Sequence, residues 1–130
     1  MFFSYTTSPN PEKDLKEGMR KIVVAHVKAR SRIVRVLGDL YYQEIKDKSP
    51  DEIVDQCFEQ LPDNLIVTEK HLQVFLSKQI ACYMPFSEPQ WKVWIVKNFK
   101  LKEHDECRSV FIWKSHHNFG DGLSGAAMLM

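Results

Sequence analysis

The sequence predicts an α/β fold, a two-layer α+β sandwich in which helices cover a mixed sheet. Three segments, residues 11–28, 50–61 and 68–84, repeat apolar side chains at helical spacing. Two later segments, residues 90–99 and 107–117, are apolar on both faces in their middles, as is typical of strands that are covered on each side. Helices packed on a sheet are the arrangement that buries both kinds of pattern.

The first elements follow from local signals near the start of the chain. A helix within residues 11–28 is predicted by one apolar stripe. The stripe consists of Leu15, Met19, Ile22, Val23 and His26. Residues 31–45 alternate in polarity and are rich in Val, Ile and Tyr, which predicts one or two strands with a turn or bulge at Gly38 and Asp39.

Two more helices have clear start and stop signals. Ser49 can cap the first of them, Pro50 suits its first position, and Glu52 completes a capping box, while Pro62 ends it. Its predicted apolar face is Val54, Cys57, Phe58 and Leu61. The second helix opens at Thr68 and finishes before Pro85. Its predicted buried stripe is Leu72, Phe75, Leu76, Ile80 and Tyr83.

The two doubly apolar segments are separated by the charged stretch KLKEHDE, which predicts an antiparallel hairpin. The second strand ends in two adjacent histidines. Strand alternation puts His116 on the face of Val110 and Ile112, and His117 on the face of Phe111. Only one of the two histidines can therefore face a given cleft.

Composition limits the class of protein. A chain of 130 residues with 44% hydrophobic and 27% charged residues is the size of one domain with a core. Its net charge of +1 provides no field that would gather nucleic acid or an anionic bilayer. Three cysteines without CxxC spacing argue against a disulfide framework and favour a reducing compartment. Neither a signal peptide nor an apolar run of about 18 residues is present in the sequence, so we expect a soluble or peripheral protein.

The stretch SHHNFGDGLSG carries the candidate functional residues. Gly120 and Gly122 permit positive φ on either side of Asp121, and the small residues that follow suit a helix packed closely on the sheet. A strand, a tight turn and a helix start expose the last side chains of the strand near an electropositive helix terminus. This pattern favours a site for chemistry at His116 and His117.

Other interpretations stay open on the residues alone. The two histidines could be core residues bonded to backbone carbonyls. A metal site is another alternative if the hairpin loop folds back, and its ligands would be His104, Cys107, His116 and His117. Cysteine nucleophiles are disfavoured, because nothing in the sequence ties a cysteine to a histidine.

The motif HHNFGDG has the form HHxxxDG and resembles the active-site motif of acyltransferases with the chloramphenicol acetyltransferase-like fold. Upstream, PFSEPQWKVWIV resembles the PLxxxxPLW segment of wax ester synthase/diacylglycerol acyltransferase enzymes, with Gln90 where that family usually has Leu. The resemblance covers the chain from about Asp14 to its end. It implies the fold of the first half of a CoA-dependent acyltransferase, with a mixed sheet covered by helices.

The resemblance also implies roles for the motif residues. His117 is the expected general base, His116 is expected to shape the turn, and both count as catalytic residues of the motif. Asp121 is expected to hold the turn rather than relay protons, and Gly122 lets the backbone approach the CoA channel. The implied reaction is transfer of a fatty acyl group from acyl-CoA to a long-chain alcohol or diacylglycerol.

Further expectations concern partners and extent. Acyl-CoA is the expected co-substrate, with no tightly bound cofactor, no metal and no nucleic acid. The family's enzymes are several times longer and consist of two similar halves. The resemblance implies that residues 1–130 are a partial N-terminal half-domain, that the C-terminal half is absent, and that the isolated chain is inactive. We expect a cytoplasmic protein, with peripheral association with a membrane or lipid droplet as a further expectation. The alternatives are a condensation-type domain and a noncatalytic interaction module derived from the fold.

Overall fold

The structure is a computed structural model, and it describes residues 2–6, 10–62, 65–66, 68–100 and 107–115. The helices are α1 (Pro11–Ala25), α2 (Pro50–Cys57) and α3 (Glu69–Ala81), with a 3₁₀ helix at Val27–Arg30. The strands are β1 (Phe2–Thr6), β2 (Ser31–Val36), β3 (Asp39–Glu44), β4 (Phe58–Gln60), β5 (Trp91–Lys100) and β6 (Cys107–Ser115).

Four strands form a mixed sheet in the order β1-β6-β5-β4. β5 and β6 are antiparallel, from the pair Trp91 and Ser115 to the pair Lys100 and Cys107, with a register shift between Val96 and Phe99. β1 is antiparallel to the other side of β6, and β4 is parallel to β5. The predicted α/β class, the mixed sheet and the antiparallel pairing of β5 with β6 are confirmed.

Each face of the sheet packs against its own apolar cluster. Helices α1 and α2 cover one face, and their cluster includes Met19, Ile53, Trp91, Val93, Ile95, Phe111 and Trp113. Helix α3 covers the other face, and its cluster includes Leu61, Ile66, Leu72, Trp94, Val96, Val110 and Ile112. The alternation of side chains along β5 and β6 supplies both clusters, as the doubly apolar pattern predicts. The sheet therefore lies between α1 and α2 on one face and α3 on the other.

Helix α1 is shorter at its end than its sequence pattern suggests. Asn10 caps its start, since Oδ1 accepts a hydrogen bond from the backbone of Lys13 at 3.4 Å. The helix ends at Ala25, and the chain then forms the 3₁₀ helix. Arg30 stabilises this end by donating to the carbonyls of Val23 and Val24 at 2.8 and 3.0 Å.

Helix α2 starts where predicted but ends earlier. The Ser49 hydroxyl accepts from the backbone of Glu52 at 3.2 Å, which confirms the cap. The prediction that the helix continues to Leu61 is wrong, because Phe58–Gln60 is the strand β4. The carbonyl and amide groups of β5 offer a parallel partner there, and the Leu61 amide donates to the Ile95 carbonyl at 3.0 Å. A tertiary pairing therefore overrides the helical pattern.

The buried stripe predicted for α3 is wrong at its end. Leu72 is buried and Phe75 and Leu76 pack against the core, but Ile80 is 71% exposed and Tyr83 is 99% exposed. The helix ends at Ala81, so helical spacing no longer applies to Tyr83. Ile80 lies about 80° around the helix from Leu72, at the margin of the stripe, and faces solvent.

The strands β2 and β3 form a separate two-stranded sheet with a two-residue turn. Leu37 and Gly38 occupy the turn with φ of 51° and 87°, the left-handed region that a type I′ turn requires. The turn therefore lies one residue before the predicted Gly38 and Asp39. Leu37 is 99% exposed. Within the described ranges, no helix has the length and apolar character needed to cross a bilayer.

Candidate functional site

The predicted site residues His116, His117, Asp121 and Gly122 lie outside the described residues, as does His104. The structure describes the strand that leads to the motif up to Ser115. That residue pairs with Trp91 at the beginning of β5.

A cavity of about 270 Å³ lies at this end of the sheet. Its walls come from the ends of α2 and α3, the segment before β5, and the adjoining ends of β5 and β6. The lining residues are Gln56, Cys57, Gln79, Cys82, Tyr83, Met84, Pro85, Glu88, Pro89, Trp91, Lys92, Trp94 and Lys114. Two ammonium groups, one carboxylate and two indole rings thus meet in one concave site, which is the usual mixture for a binding pocket.

Two lysines of the cavity occupy directly opposed positions. Lys92 of β5 pairs with Lys114 of β6, and strand alternation puts both on the α3 face. Lys114 is only 9% exposed and donates two short hydrogen bonds to the carbonyls of Gln79 and Cys82 at the end of α3. Its ammonium group has three donors, so it joins the last turn of α3 to β6 and keeps one donor beyond those two bonds.

Lys92 is held by a different set of groups. Its Nζ lies 2.9 Å from Oε2 of Glu59 and 5.1 Å from the centre of the Trp94 ring. The Trp94 indole donates to the same carboxylate oxygen at 3.2 Å. Glu59 therefore balances the charge of Lys92 and fixes the orientation of Trp94. Lys114 uses a separate set of acceptors, the carbonyls at the end of α3.

On the opposite face, the end of β6 is fixed by aromatic packing. The rings of Trp91 and Trp113 stack with centroids 5.5 Å apart and planes 13° from parallel. Trp91 is almost fully buried, and its indole N–H donates to the Ala29 carbonyl at 2.8 Å. Both faces near the end of β6 are thus held by specific contacts.

Gln90 stabilises the segment before β5 that lines one side of the cavity. Its Nε2 donates to the carbonyls of Pro85 and Glu88 at 2.8 and 2.9 Å, and the side chain is 0% exposed. Its Oε1 is buried and has no hydrogen-bond partner among the described residues. An unsatisfied buried acceptor lowers the free energy of unfolding by about 1 to 3 kcal/mol, and such acceptors are uncommon in folded proteins.

The thiol of Cys57 is not poised as a nucleophile. Burial, with a smaller contribution from the Glu88 charge, raises the pKa of Cys57 to about 12. The thiolate, which is the reactive form, is therefore scarcely populated at neutral pH. In the part of the chain that the structure describes, no three His, Cys, Asp or Glu side chains are grouped as metal ligands.

Sequence reasoning predicted the strand β6 but missed three residues with specific contacts near its end. Lys114 was visible as a single charge inside the apolar run VFIWKS, which is the signal of a buried lysine with specific acceptors. Lys92 and Gln90 lie on either side of Trp91. The sequence analysis noted Gln90 only because the resembled family usually has Leu at that position. The acceptors of Lys92 and Lys114 lie far along the chain, so those contacts could not be predicted. The acceptors of Gln90 are the nearby carbonyls of Pro85 and Glu88, but no sequence pattern marks such contacts.

No protein-family model matches the sequence, and no curated protein matches it. A solved structure with the same fold is that of the wax ester synthase/diacylglycerol acyltransferase from Marinobacter aquaeolei VT8. The TM-score is 0.58 at 21% sequence identity, and the match covers 96% of this chain. The chain spans 30% of the length of that structure. The likeness shows that this chain has the fold of part of an acyltransferase.

Proposed function

We propose that this chain carries the base-bearing part of an O-acyltransferase that transfers a fatty acyl group from acyl-CoA to a long-chain alcohol or diacylglycerol. The observation that carries the proposal is the position of β6. In a chain with the fold of a wax ester synthase/diacylglycerol acyltransferase over 96% of its length, β6 ends beside a cavity and the sequence continues directly into HHNFGDG.

The proposed chemistry requires a base that acts during attack. The hydroxyl of the acceptor is about as acidic as water, with a pKa of about 15.7, whereas an imidazole has a pKa of about 6.5. This gap of roughly nine units corresponds to about 12 kcal/mol, so prior deprotonation is too costly. His117 therefore removes the proton while the oxygen attacks the thioester carbonyl. The new C–O bond forms, the C–S bond breaks, and the proton passes to the CoA thiolate.

The described surroundings favour a histidine base over a covalent cysteine route. Cys57 is the buried thiol of the cavity, and its raised pKa keeps it protonated. The remaining residues have supporting roles in the proposal. His116 shapes the turn, Asp121 holds it, and Gly122 gives the backbone room beside the CoA channel. The donors that stabilise the tetrahedral oxyanion come from groups outside the described cavity.

The experiment is an exchange of equivalent parts. This chain replaces the structurally equivalent segment of the Marinobacter enzyme, and the chimaera is given acyl-CoA with a long-chain alcohol or diacylglycerol. Release of the CoA thiol and formation of the ester are measured. We expect alcohol-dependent release, and we expect His117→Ala to lower kcat by about a hundredfold or more, as removal of a general base does.

The matched control is His71→Ala, which alters an exposed histidine of α3. This variant should keep the activity of the parent chimaera. A folded chimaera without alcohol-dependent thiol release contradicts the acyltransferase proposal and favours an interaction module. An active chimaera that tolerates His117→Ala but not His116→Ala contradicts the assignment of the base.

A further inference from the structure

The outer end of the β2–β3 hairpin exposes a group of apolar side chains, here called the hairpin tip. It consists of Val36, Leu37, Leu40 and Tyr41. Leu37 is almost fully exposed, and the other three are about half exposed. Single apolar residues on a protein surface are common, but contiguous ones mark surfaces of interaction. The hairpin tip is therefore a candidate contact surface.

Leu37 is unusual for its backbone as well as for its exposure. Its φ of 51° lies in the left-handed region, which is unfavourable for a residue with a Cβ atom, and asparagine is preferred at this turn position. Leu37 thus departs from the preference of the turn and from that of an exposed surface. Packing within the protein does not offset these costs, because the side chain is exposed. Departures of this kind are typical of functional sites.

The stem of the hairpin is anchored, which gives the tip a defined position. The backbone amide of Ile33 donates to the carbonyl of Phe86 at 2.8 Å, and the Ile33 side chain is buried. Strand alternation and the register of the hairpin put Val36 and Tyr41 on the opposite face, which points away from the core. The outward face therefore continues the apolar surface of the turn.

Basic residues surround this apolar surface. Between positions 28 and 48 the sequence has six basic and three acidic residues, so the net charge of +1 conceals a local positive excess. Arg32 and Arg35 lie on β2 and are exposed. Nε of Arg32 donates to Oε1 of Gln43 at 2.9 Å, which holds the guanidinium on the outward face. An apolar tip with a basic surround is complementary to a bilayer that carries anionic headgroups.

We propose that the hairpin tip inserts into the surface of an anionic phospholipid bilayer. Val36 and Leu37 enter the boundary between headgroups and acyl chains. Tyr41 lies at the level of the headgroups, and Arg32 and Arg35 contact anionic lipids. A protein partner fits less well, because a stable protein interface takes about 20 to 30 residues a side, far more than a turn and its neighbours provide. The contact goes beyond the proposed function, since it does not depend on acyl transfer.

The test measures sedimentation of the 130-residue chain with vesicles made of equal parts of phosphatidylcholine and phosphatidylserine. We expect binding that is weaker at high salt and weaker to phosphatidylcholine alone. Leu37→Asn should weaken binding about tenfold or more, because it removes the most exposed apolar side chain of the tip. Asparagine suits the turn, so this loss cannot arise from unfolding. Failure of the wild-type chain to bind, or equal binding by Leu37→Asn, overturns the proposal.

Matched variants separate the hairpin from the rest of the surface. Ile80→Asn alters an apolar residue of α3 that is 71% exposed, and it should bind like the wild type. Arg32→Gln and Arg35→Gln should each weaken binding to the mixed vesicles about fivefold and leave binding to phosphatidylcholine unchanged. Lys21→Gln, on the exposed side of α1, is their control and should have little effect. An equal loss in Lys21→Gln would show general attraction of charge and overturn the assignment to the hairpin.

Insertion itself can be measured with vesicles whose acyl chains are brominated and quench tryptophan fluorescence. The native residues Trp91, Trp94 and Trp113 are buried, so quenching reports on an introduced tryptophan. We expect Leu37→Trp to be quenched and Ile80→Trp not to be, and equal signals overturn insertion. Self-association of the wild-type chain without lipid, abolished by Leu37→Asn, would assign the tip to a protein contact instead. The vesicles contain neither acyl-CoA nor an acceptor alcohol, so an inactive chimaera leaves this result unaffected.

Discussion

Lys92 and Lys114 face each other across β5 and β6, yet each ammonium group has separate acceptors. Like charges in directly opposed positions destabilise a sheet. Glu59 neutralises the first lysine, and the carbonyls at the end of α3 take the second. The pair therefore ties the edge strand β4 and helix α3 to the same end of the sheet, where the histidine motif begins in the sequence.

The first prediction concerns Lys114. We expect Lys114→Met to lower the free energy of unfolding by about 1 to 3 kcal/mol, because the carbonyls of Gln79 and Cys82 lose their buried donor. Urea denaturation followed by tryptophan fluorescence measures the change. Lys92→Met is the matched control, and it should cost less than about 1 kcal/mol because its ion pair is half-exposed. Equal losses in the two variants would refute the bridging role of Lys114.

The second prediction concerns the two described thiols. Cys57 is buried and its pKa is raised to about 12, whereas Cys82 is exposed. At pH 8 we expect iodoacetamide to alkylate Cys82 in the native protein well before Cys57. Mass spectrometry of the tryptic peptides measures both rates, and labelling in denaturant serves as the control that both thiols can react. Comparable native rates would show that the cavity does not shield Cys57.

The third prediction concerns the ion pair that ties β3 to the end of α1. The Arg30 guanidinium donates to Oε1 of Glu44 at 2.9 Å, and this hydrogen bond holds the pKa of Glu44 below its ordinary value of 4.5. The folded state thus favours the ionised carboxylate, so its contribution is present above about pH 5 and is lost as pH falls through the lowered pKa.

We therefore expect Glu44→Gln to be less stable than the wild type at pH 7, with a difference that shrinks to nothing in acid. Thermal unfolding between pH 7 and pH 3 measures it. Glu17→Gln, a change of an exposed carboxylate on α1, is the control and should show no such convergence. A difference that grows as pH falls would have the wrong sign for this ion pair.

The fourth prediction concerns the turn between β2 and β3. Leu37 has φ of 51°, which is unfavourable for a residue with a branched side chain, and its side chain is 99% exposed. Asparagine tolerates this conformation, and Asn-Gly is the preferred pair of a type I′ turn. Leu37→Asn should therefore raise the free energy of unfolding by about 1 kcal/mol. Leu40→Asn, at a strand position, is the control that should not stabilise, and a neutral Leu37→Asn would argue against strain at this turn.

The sequence predicted correctly those features that depend on residues close together along the chain. Ser49 and Pro50 fix the start of α2, and the alternation through Val110 to Trp113 fixes the two faces of β6. The fold class followed from these patterns. The end of α2 could not be predicted from these patterns, because Phe58 begins a strand that pairs with β5.

The residues at the end of the sheet depend on partners that are distant along the chain. Lys114 meets carbonyls of Gln79 and Cys82, and Trp91 meets the carbonyl of Ala29. No periodicity in the sequence encodes such pairs. The roles assigned to His116 and His117 remain predictions, since both lie outside the described residues.

The position of β1 has a consequence for synthesis of the chain. Phe2 pairs with Trp113 and Thr6 with Ser109, so β1 leaves the ribosome roughly 100 residues before its partner strand β6. At about 5 to 20 residues per second, that interval lasts roughly 5 to 20 seconds. During this interval β1 lacks β6, its partner among the described strands, and an unpaired strand edge can pair with another nascent chain. Crowded polysomes are therefore where this protein is most vulnerable to misassembly, and slower translation would lengthen the risk.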